Sequence, residues 1–300
     1  MELPETVRSV RRMQAYIEEH LFEPITLYQL AKAAGYSPYH SSRLFQAHTG
    51  KAPFAYLRAR RLSRAALYLR DHEARVLDVA LNFVFDSHEG FTRAFAKAFG
   101  LPPKKYSETT PPIPLFLPYP ASAYPLILKE KGEKKMEEKK DRTIFVQVIE
   151  RPQRKALVRR GKKAEEYFAY CEEVGCDVWA MLISVKEALY EPVGMWLPEA
   201  LIKPGTSKYV QGVEVPVGYA NAVPEGYELI DLPPCKLMVF QGAPYDDEAF
   251  LDEIGYVMEA MDRYDPKLYG FAWADEDGPR IQLEPQGYRG YIEARPVRSL

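Results

Sequence analysis

The chain has 300 residues, 47% of them hydrophobic and 27% charged, which suffices for two globular domains with separate cores. The net charge of -2 is unevenly distributed, because residues 1–106 carry 16 Lys and Arg against 10 Asp and Glu, while residues 143–300 carry 17 against 26. This charge pattern predicts a polyanionic partner for the basic part. The sequence also contains no apolar run that approaches the roughly eighteen residues needed to cross a membrane.

The first hundred residues have the periodicity of amphipathic helices. Apolar residues recur at three- and four-residue spacing in "VRRMQAYIEEHLF", which predicts a helix. Thr26 is a suitable N-cap for the next helix, "LYQLAKAA", which ends at Gly35, a residue suited to a left-handed turn. Ser37 followed by Pro38 begins another helix, because serine caps helices and proline favours the first helical position. Two helices joined by a tight glycine turn predict a helix-turn-helix unit.

A second copy of this unit follows fifty residues later. The repeated positions pair as Ser37 with Ser87, Arg43 with Arg93, Phe45 with Phe95, Gly50 with Gly100, Pro53 with Pro103 and Tyr56 with Tyr106. Val84 takes the place of the turn glycine, and because a β-branched residue resists a positive φ, we expect a differently built or strained turn. The Ala- and Leu-rich segment 53–71 predicts a rigid helix between the two copies.

Two such units on one connector suit double-stranded DNA. B-DNA presents its major groove every ~34 Å, and the second helix of a helix-turn-helix unit enters that groove. Arg43 and Arg93 lie at equivalent positions of the two inserted helices, and arginine can bond bidentately to guanine O6 and N7. Contact with phosphate alone is the alternative for both arginines. Four further arginines either contact phosphate or form an ordinary solvated face: Arg58, Arg60, Arg61 and Arg64.

The repeated helix-turn-helix positions occur at fixed spacing in two segments: "ITLYQLAKAAGYSPYHSSRLFQAHTGKAPFAYLRARRLSRAALYL" and "DVALNFVFDSHEGFTRAFAKAFGLPPKKY". Through them residues 7–106 resemble the DNA-binding domain of the AraC/XylS family of bacterial transcription regulators. The resemblance implies two recognition helices in adjacent major-groove segments, with base-facing residues Tyr39, Ser42, Arg43, His88, Glu89, Gly90 and Arg93. Because Gly90 has no side chain and Glu89 faces a polyanion, we expect the second helix to depend more on phosphate contacts and DNA shape.

Proline and charge mark a boundary after residue 108. The stretch "TTPPIPLFLPYPASAYP" contains too many prolines for a helix or a central strand, and the charged run "KEKGEKKMEEKK" follows it. We interpret residues 109–142 as a linker between a DNA-binding domain of residues 1–108 and a second domain of residues 143–300. Part of the linker should pack on a domain, because it contains the apolar residues Ile113, Leu115, Phe116 and Leu117.

Strand and helix patterns alternate twice in the acidic part. The strand "TIFVQVIER" precedes the helical "KAEEYFAYCEEVGCDVWAMLISVKEAL" and the strands "VGMWLP" and "KYVQGVEVPVG". The order returns with the strand "CKLMVFQG", the helix "DDEAFLDEIGYVMEAMDRY" and the strands "PRIQLEPQ" and "RGYIEARPV". Two βαββ repeats predict an α+β domain whose sheet is covered by helices.

Three segments of this part, "YVQGVEVPVG", "LPPCKLMVFQG" and "IQLEP…YIEARPV", resemble GyrI-like effector-binding domains. The resemblance implies a small hydrophobic, often cationic, effector held by aromatic side chains around a central glutamate, which by position is Glu284. Gln286 stands where the family often has tyrosine. The aromatic candidates for ligand binding are Tyr167, Tyr170, Trp196, Tyr219 and Trp273. The alternatives are that Glu284 faces solvent and that the aromatic residues serve packing.

No catalytic constellation stands out in the acidic part. It has no histidine, GxSxG, HExxH or glycine-rich phosphate loop, so we expect neither an enzyme nor a cofactor. The sequence predicts a regulator that binds promoter DNA and senses a small-molecule effector, with RNA polymerase as a further candidate partner. Two alternatives remain for the second domain: a small-molecule hydrolase or scavenger, and a protein-interaction surface without a ligand.

The cysteines and the N-terminus predict a cytoplasmic protein. Cys171, Cys176 and Cys235 cannot all pair, and their spacing fits neither a zinc ribbon nor a CxxC redox site. The first residues lack the apolar segment of a secretion signal. His40 and His88 have no acidic or cysteine partner at ligand spacing. We therefore expect reduced thiols, no metal site and no membrane partner.

Overall fold

The computed structural model describes residues 4–117, 142–175, 177–246 and 249–300. They form two compact units, one within residues 4–117 and the other within residues 142–300. Most of the predicted linker, including its charged run, lies outside the described residues, as does Cys176. Cys171 and Cys235 are both half-buried.

The N-terminal unit is helical, as predicted. Its helices are α1 (Glu5–Glu19), α2 (Leu27–Ala34), α3 (Pro38–Thr49), α4 (Pro53–Asp71), α5 (Val76–Asn82), α6 (His88–Phe99) and α7 (Pro103–Thr109). Thr26 and Gln29 form a capping box at the start of α2, because each side chain accepts a hydrogen bond from the other residue's backbone N–H. Ser37 caps α3 by accepting from the N–H of His40 at 3.4 Å. Local capping chemistry therefore sets the two helix starts that the sequence predicts.

The two helix-turn-helix units have similar aromatic cores. In the first, the ring of Phe45 on α3 meets the ring of Tyr56 on α4 edge-on, with the centroids 5.2 Å apart. In the second, Phe95 on α6 lies 5.6 Å from Tyr106 on α7. All four side chains are buried. The fifty-residue repeat in the sequence is thus a repeat in the packing.

Part of the predicted linker packs on the helical unit, as its apolar residues suggested. Ile113 and Leu115 are buried, and the ring of Phe116 meets that of Tyr56 at 5.0 Å. The backbone N–H of Phe116 donates to the Ser63 hydroxyl at 2.7 Å. Burial of these side chains stabilises an extended segment that has no helix or strand of its own.

Arg60 and Arg61 do not form the phosphate-contacting or solvated face expected from the sequence. The buried guanidinium of Arg60 donates to both carboxylate oxygens of Glu18, at 2.6 and 2.8 Å, and to the Phe116 carbonyl at 2.6 Å. Arg61 donates to the carbonyls of Leu21 and Glu23, at 2.9 and 2.6 Å. Both arginines bind α4 to the chain around it, because a planar fork can satisfy several acceptors at once.

The C-terminal unit contains one antiparallel sheet and three α-helices among its described residues. The strands are β1 (Ile144–Arg151), β2 (Arg154–Arg160), β3 (Val193–Trp196), β4 (Tyr209–Val215), β5 (Glu228–Leu232), β6 (Cys235–Gly242), β7 (Phe271–Trp273), β8 (Arg280–Leu283) and β9 (Ile292–Ser299). The helices are α8 (Tyr167–Val174), α9 (Val178–Ile183) and α10 (Phe250–Arg263). The strand order is β1-β6-β9-β8-β3-β4-β2-β5, with β7 paired to β9.

The predicted pair of βαββ repeats is incomplete, because β2, β5 and β7 were missed. Each repeat begins with two strands, and their sequences correspond at a separation of 81 residues: "VIERPQRKALVRRG" and "LIDLPPCKLMVFQG". The first strand of each repeat pairs with the second strand of the other, so that β1 lies beside β6 and β5 beside β2. Arg151 accordingly faces Cys235, and Leu232 faces Arg154. This exchange joins the two repeats into one sheet.

The sheet has apolar residues on both faces. On one face, α8 and α9 cover side chains of β2 and β4, including Leu157 and Val213. On the same face, α10 covers side chains of β6 and β9, including Phe240 and Val297. The opposite face buries a separate aliphatic cluster around Val210. The central strands β3 and β8 lie between the two helix-covered halves.

Candidate functional site

The first helix-turn-helix turn is fixed by a glycine and an arginine. Gly35 has a left-handed backbone, with φ of +77°. Arg12 on α1 donates to the carbonyls of Ala33 and Ala34, at 3.0 and 2.9 Å, and to Glu5 at 2.7 Å. These bonds satisfy the last carbonyls of α2, which have no partner within the helix. The turn therefore holds α3 at a defined angle to α2.

The second turn has the same backbone shape without glycine. Val84 has a φ of +58°, which confirms the strained turn predicted from its β-branched side chain. The N–H of Val84 donates to the Leu81 carbonyl at 3.0 Å, and that of Phe85 donates to the Ala80 carbonyl at 2.9 Å. Backbone hydrogen bonds thus hold a conformation that the side chain disfavours.

The predicted base-facing residues of α3 lie on its outer surface. Tyr39 is 73% exposed, Arg43 is exposed and Ser42 is half-buried. The Arg43 guanidinium carbon lies 5.7 Å from the centroid of the Tyr39 ring, within reach of a cation–π interaction. No carboxylate of the described residues pairs with Arg43. A cation that is exposed and has no counter-ion is available to an anionic partner.

Helix α6 presents a different set of side chains at the equivalent positions. His88, Glu89 and Arg93 are exposed, and Glu89 takes the place that Tyr39 has on α3. Gly90 is half-buried, and its N–H donates to the capping hydroxyl of Ser87 at 3.1 Å. Within the described part of the chain, Arg93 forms no ion pair. Its side chain also has no aromatic residue one turn earlier to stack on.

Four of the five aromatic candidates for ligand binding belong, with Tyr209, to the cluster between the sheet and the helices α8 and α9: Tyr167 and Tyr170 of α8, Trp196 of β3, and Tyr219. Tyr170 and Tyr209 are fully buried, with ring centroids 5.5 Å apart, and the Tyr170 hydroxyl donates to the Arg159 carbonyl at 2.7 Å. Trp196 is half-buried, and its indole N–H donates to the Glu165 carbonyl at 2.8 Å. Trp273 lies apart, in the cluster beneath α10.

Glu284 follows the end of β8 and is half-buried. Burial raises the pKa of its carboxyl, against the opposing effects of a hydrogen bond from Gln286 at 3.1 Å and the positive charge of Arg289. Arg289 itself pairs with Glu191 through two bonds of 2.7 Å. Gln286 therefore contacts Glu284 directly, at the position where the family resemblance would place tyrosine.

The most buried carboxylate in the middle of the sheet is Glu293, which is not among the residues predicted from the sequence. Its side chain on β9 is fully buried, accepts a 2.9 Å hydrogen bond from the Tyr291 hydroxyl and forms an ion pair with Arg280 of β8. Burial raises the pKa of Glu293, although Arg280 and Tyr291 act in the opposite direction. The residue that faces Glu293 on the neighbouring strand β8 is Gln282.

A repeat in the sequence could have identified Glu293. The motif Tyr-Val-Gln ending at Gln211 on β4 returns 82 residues later as Tyr-Ile-Glu ending at Glu293 on β9. Both strands flank the central pair β3 and β8. Tyr209 and Tyr291 therefore occupy matching places in the two repeats, and both are fully buried.

Neither a metal cluster nor a membrane helix occurs among the described residues. They contain no group of three or more His, Cys, Asp or Glu side chains that could hold a metal ion. None of their helices is both long and apolar enough to cross a membrane.

Known proteins resemble part of this chain. A family model described as a helix-turn-helix domain matches residues 30–109. The transcriptional regulator Rob of Salmonella typhimurium is 44% identical over 101 residues, which are 34% of this chain and 35% of Rob. The multiple antibiotic resistance protein MarA of Escherichia coli is 33% identical over 94 residues, which are 31% of this chain and 74% of MarA. The chain thus spans about a third of the length of Rob and most of that of MarA.

A solved structure also resembles this chain. It is described as a probable AraC family transcriptional regulator from Rhodopseudomonas palustris, and the sequence identity is 29%. The superposition covers 34% of this chain and 95% of that one, with a TM-score of 0.33.

Proposed function

This chain belongs to the AraC family of helix-turn-helix proteins, and from that membership we propose that it is a bacterial transcription regulator that binds double-stranded promoter DNA. One observation carries the proposal: Arg43 and Arg93 are exposed, without a carboxylate partner among the described residues, at equivalent positions of the two second helices. Such a pair of helices suits successive segments of the major groove. Such a regulator acts in the cytoplasm, where bacterial DNA is found. RNA polymerase is a candidate protein partner.

The two helices read DNA differently in this proposal. On α3, Tyr39 holds the Arg43 guanidinium by stacking, and Ser42 lies beside them, so this helix makes the base-specific contacts. On α6, His88, Glu89 and Arg93 are exposed, but Glu89 repels phosphate and Gly90 has no side chain. The second helix therefore contributes more through phosphate contacts and DNA shape.

Arg43→Ala tests the proposal. With a cognate site selected from a random DNA pool, we expect binding to weaken by about 1–3 kcal/mol, while binding to unrelated DNA stays nearly unchanged. Arg8→Ala is a matched control, because Arg8 is also partly exposed but pairs with Glu5 on α1. Equal losses on both DNA types would show that Arg43 contacts phosphate only. Unchanged binding to both would contradict the assigned surface.

The C-terminal unit is the effector sensor in this proposal. Its support is the aromatic cluster around Tyr209, in which Trp196 and Tyr167 are only half-buried, next to the central strands β3 and β8. Half-buried aromatic side chains with a few polar groups are the usual lining of a small-molecule site. A bound effector changes DNA binding only by favouring one of two states of the protein. We propose no catalytic activity for this unit.

A further inference from the structure

The buried carboxylate of the sheet is already neutralised by the chain itself. Glu293 accepts from Arg280 through Oε1 and from the Tyr291 hydroxyl through Oε2. To pair with Glu293, a cationic effector would have to displace the guanidinium of Arg280, a residue of β8. Removing one partner from a buried pair of charges is strongly unfavourable. The centre of this sheet is therefore a poor site for an organic cation.

Two aromatic faces that could hold a cation are covered by arginines of the chain. The guanidinium carbon of Arg280 lies 5.1 Å from the centroid of the Trp196 ring. That of Arg295 lies 4.5 Å from the centroid of the Trp273 ring, and Arg295 also pairs with Asp275 at 2.6 Å. Two of the predicted ligand-binding residues thus already make cation–π contacts within the chain.

Arg280 has unused hydrogen-bonding capacity. Its Nη2 atom is buried and has no acceptor in the part of the chain that the structure describes. The Arg280 side chain as a whole is 23% exposed, so part of this residue reaches the surface of the unit. A buried donor without an acceptor costs free energy that an incoming acceptor recovers. A bond between a guanidinium and an anionic oxygen is stronger than one between neutral groups.

From these contacts we propose that the effector of this chain is an organic carboxylate, bound through Nη2 of Arg280 with its apolar part against the aromatic cluster that contains Trp196. The inference rests on the sensor function proposed above and names its ligand class. Arginine suits the task because its planar fork can hold Glu293 through Nε and present Nη2 to a second carboxylate.

Three probes that share a naphthalene ring and differ in charge test the inference: naphthoate, naphthyltrimethylammonium and naphthalenemethanol. Each is titrated calorimetrically into the full chain. We expect naphthoate to bind at least about tenfold tighter than the ammonium compound, because only the carboxylate gains a charge-assisted bond. In Arg280→Gln, naphthoate should lose at least about tenfold in affinity while the neutral alcohol is unaffected.

Arg298→Gln is the matched control. Arg298 lies near the end of the same sheet, is half-exposed and pairs with Glu276 and Asp277, so its loss should leave all three affinities unchanged. If Arg280→Gln does not fold, Arg280→Lys decides the question, because it retains the charge but loses the fork. It must then weaken naphthoate binding without changing that of the alcohol.

The outcomes separate this inference from the sensor function. Tighter binding of the ammonium compound would overturn the inference and support a sensor of cations. Naphthoate affinity that is the same in the native chain and in Arg280→Gln would also overturn it. If no probe binds, the inference about the ligand class fails. The sensor function fails as well only if no compound changes the affinity of the full chain for DNA.

Discussion

Gly35 and Val84 hold the same place in the two helix-turn-helix units, and both have a left-handed backbone. Only glycine adopts that conformation without steric cost. A Cβ atom at Gly35 would lie 3.8 Å from Nη2 of Arg12, an ordinary contact, so space does not require glycine there. Glycine is therefore favoured at position 35 by the left-handed backbone and not by lack of space. At Val84 the same backbone conformation is strained, because valine disfavours a positive φ.

Gly35→Ala should destabilise the helical unit by about 1–2 kcal/mol, because alanine has to take up a left-handed conformation. The three tryptophans, Trp179, Trp196 and Trp273, all lie in the C-terminal unit. In Gly35→Ala, the unfolding of the helical unit, followed by circular dichroism, should therefore move to a lower urea concentration. The transition followed by tryptophan fluorescence, which reports on the C-terminal unit, should not move.

Gly255→Ala is the control for this substitution. Gly255 is exposed within α10, and no atom lies within 4 Å of the position that an added Cβ would take, so alanine should stabilise that helix by about 0.5–1 kcal/mol. Only the fluorescence-detected unfolding of the C-terminal unit should move upward. A loss of stability at Gly255 or none at Gly35 would refute the backbone explanation.

At the level of elements, local signals predicted the helices well and the strands less well. α2 begins and ends as predicted, because Thr26 and Gly35 act on their immediate neighbours. β2 was missed because "RKALVRR" has four basic residues, and only tertiary pairing makes it a strand. Arg154 is fully buried against Glu214 at 2.7 Å, and Arg160 pairs with Glu228.

The candidate site shows the same division. Trp196 and Tyr209 lie together because their strands pair directly. The carboxylate at the centre was harder to predict, because the partners of Glu293 depend on the register between β8 and β9. No local pattern fixes that register. Glu284, which the family resemblance indicates by its position, stays a prediction and lies beyond the end of β8.

Arg60→Gln tests how one side chain connects elements. It should destabilise the helical unit by about 3 kcal/mol, because Glu18 loses its partner and the Phe116 carbonyl loses a donor. Segment 113–117 should also become more accessible to proteases and to amide hydrogen exchange.

Arg64→Gln is the control on the same helix. Arg64 is exposed, and no ion pair with it is found among the described residues, so the change should stay within about 0.5 kcal/mol. Equal effects of the two substitutions on unfolding and on exchange of segment 113–117 would show that the Arg60 contacts do not hold this segment.

At the scale of the whole molecule, a basic unit for DNA is joined to an acidic unit proposed for an effector. If the effector changes the affinity for DNA by some factor, DNA must change the affinity for the effector by the same factor. This reciprocity holds for any structural route between the units. It therefore tests regulation without reference to their arrangement.

We expect naphthoate to change the affinity of the full chain for its cognate site by about 5- to 150-fold in either direction, the usual range of such coupling. The cognate DNA should change the naphthoate affinity by the same factor. In Arg280→Gln, the probe should no longer affect DNA binding, while binding in its absence stays as in the native chain, because Arg280 lies in the sheet and outside the helix-turn-helix units. Naphthoate binding that leaves DNA affinity unchanged would refute regulation by this ligand, since a ligand with equal affinity for both states shifts neither.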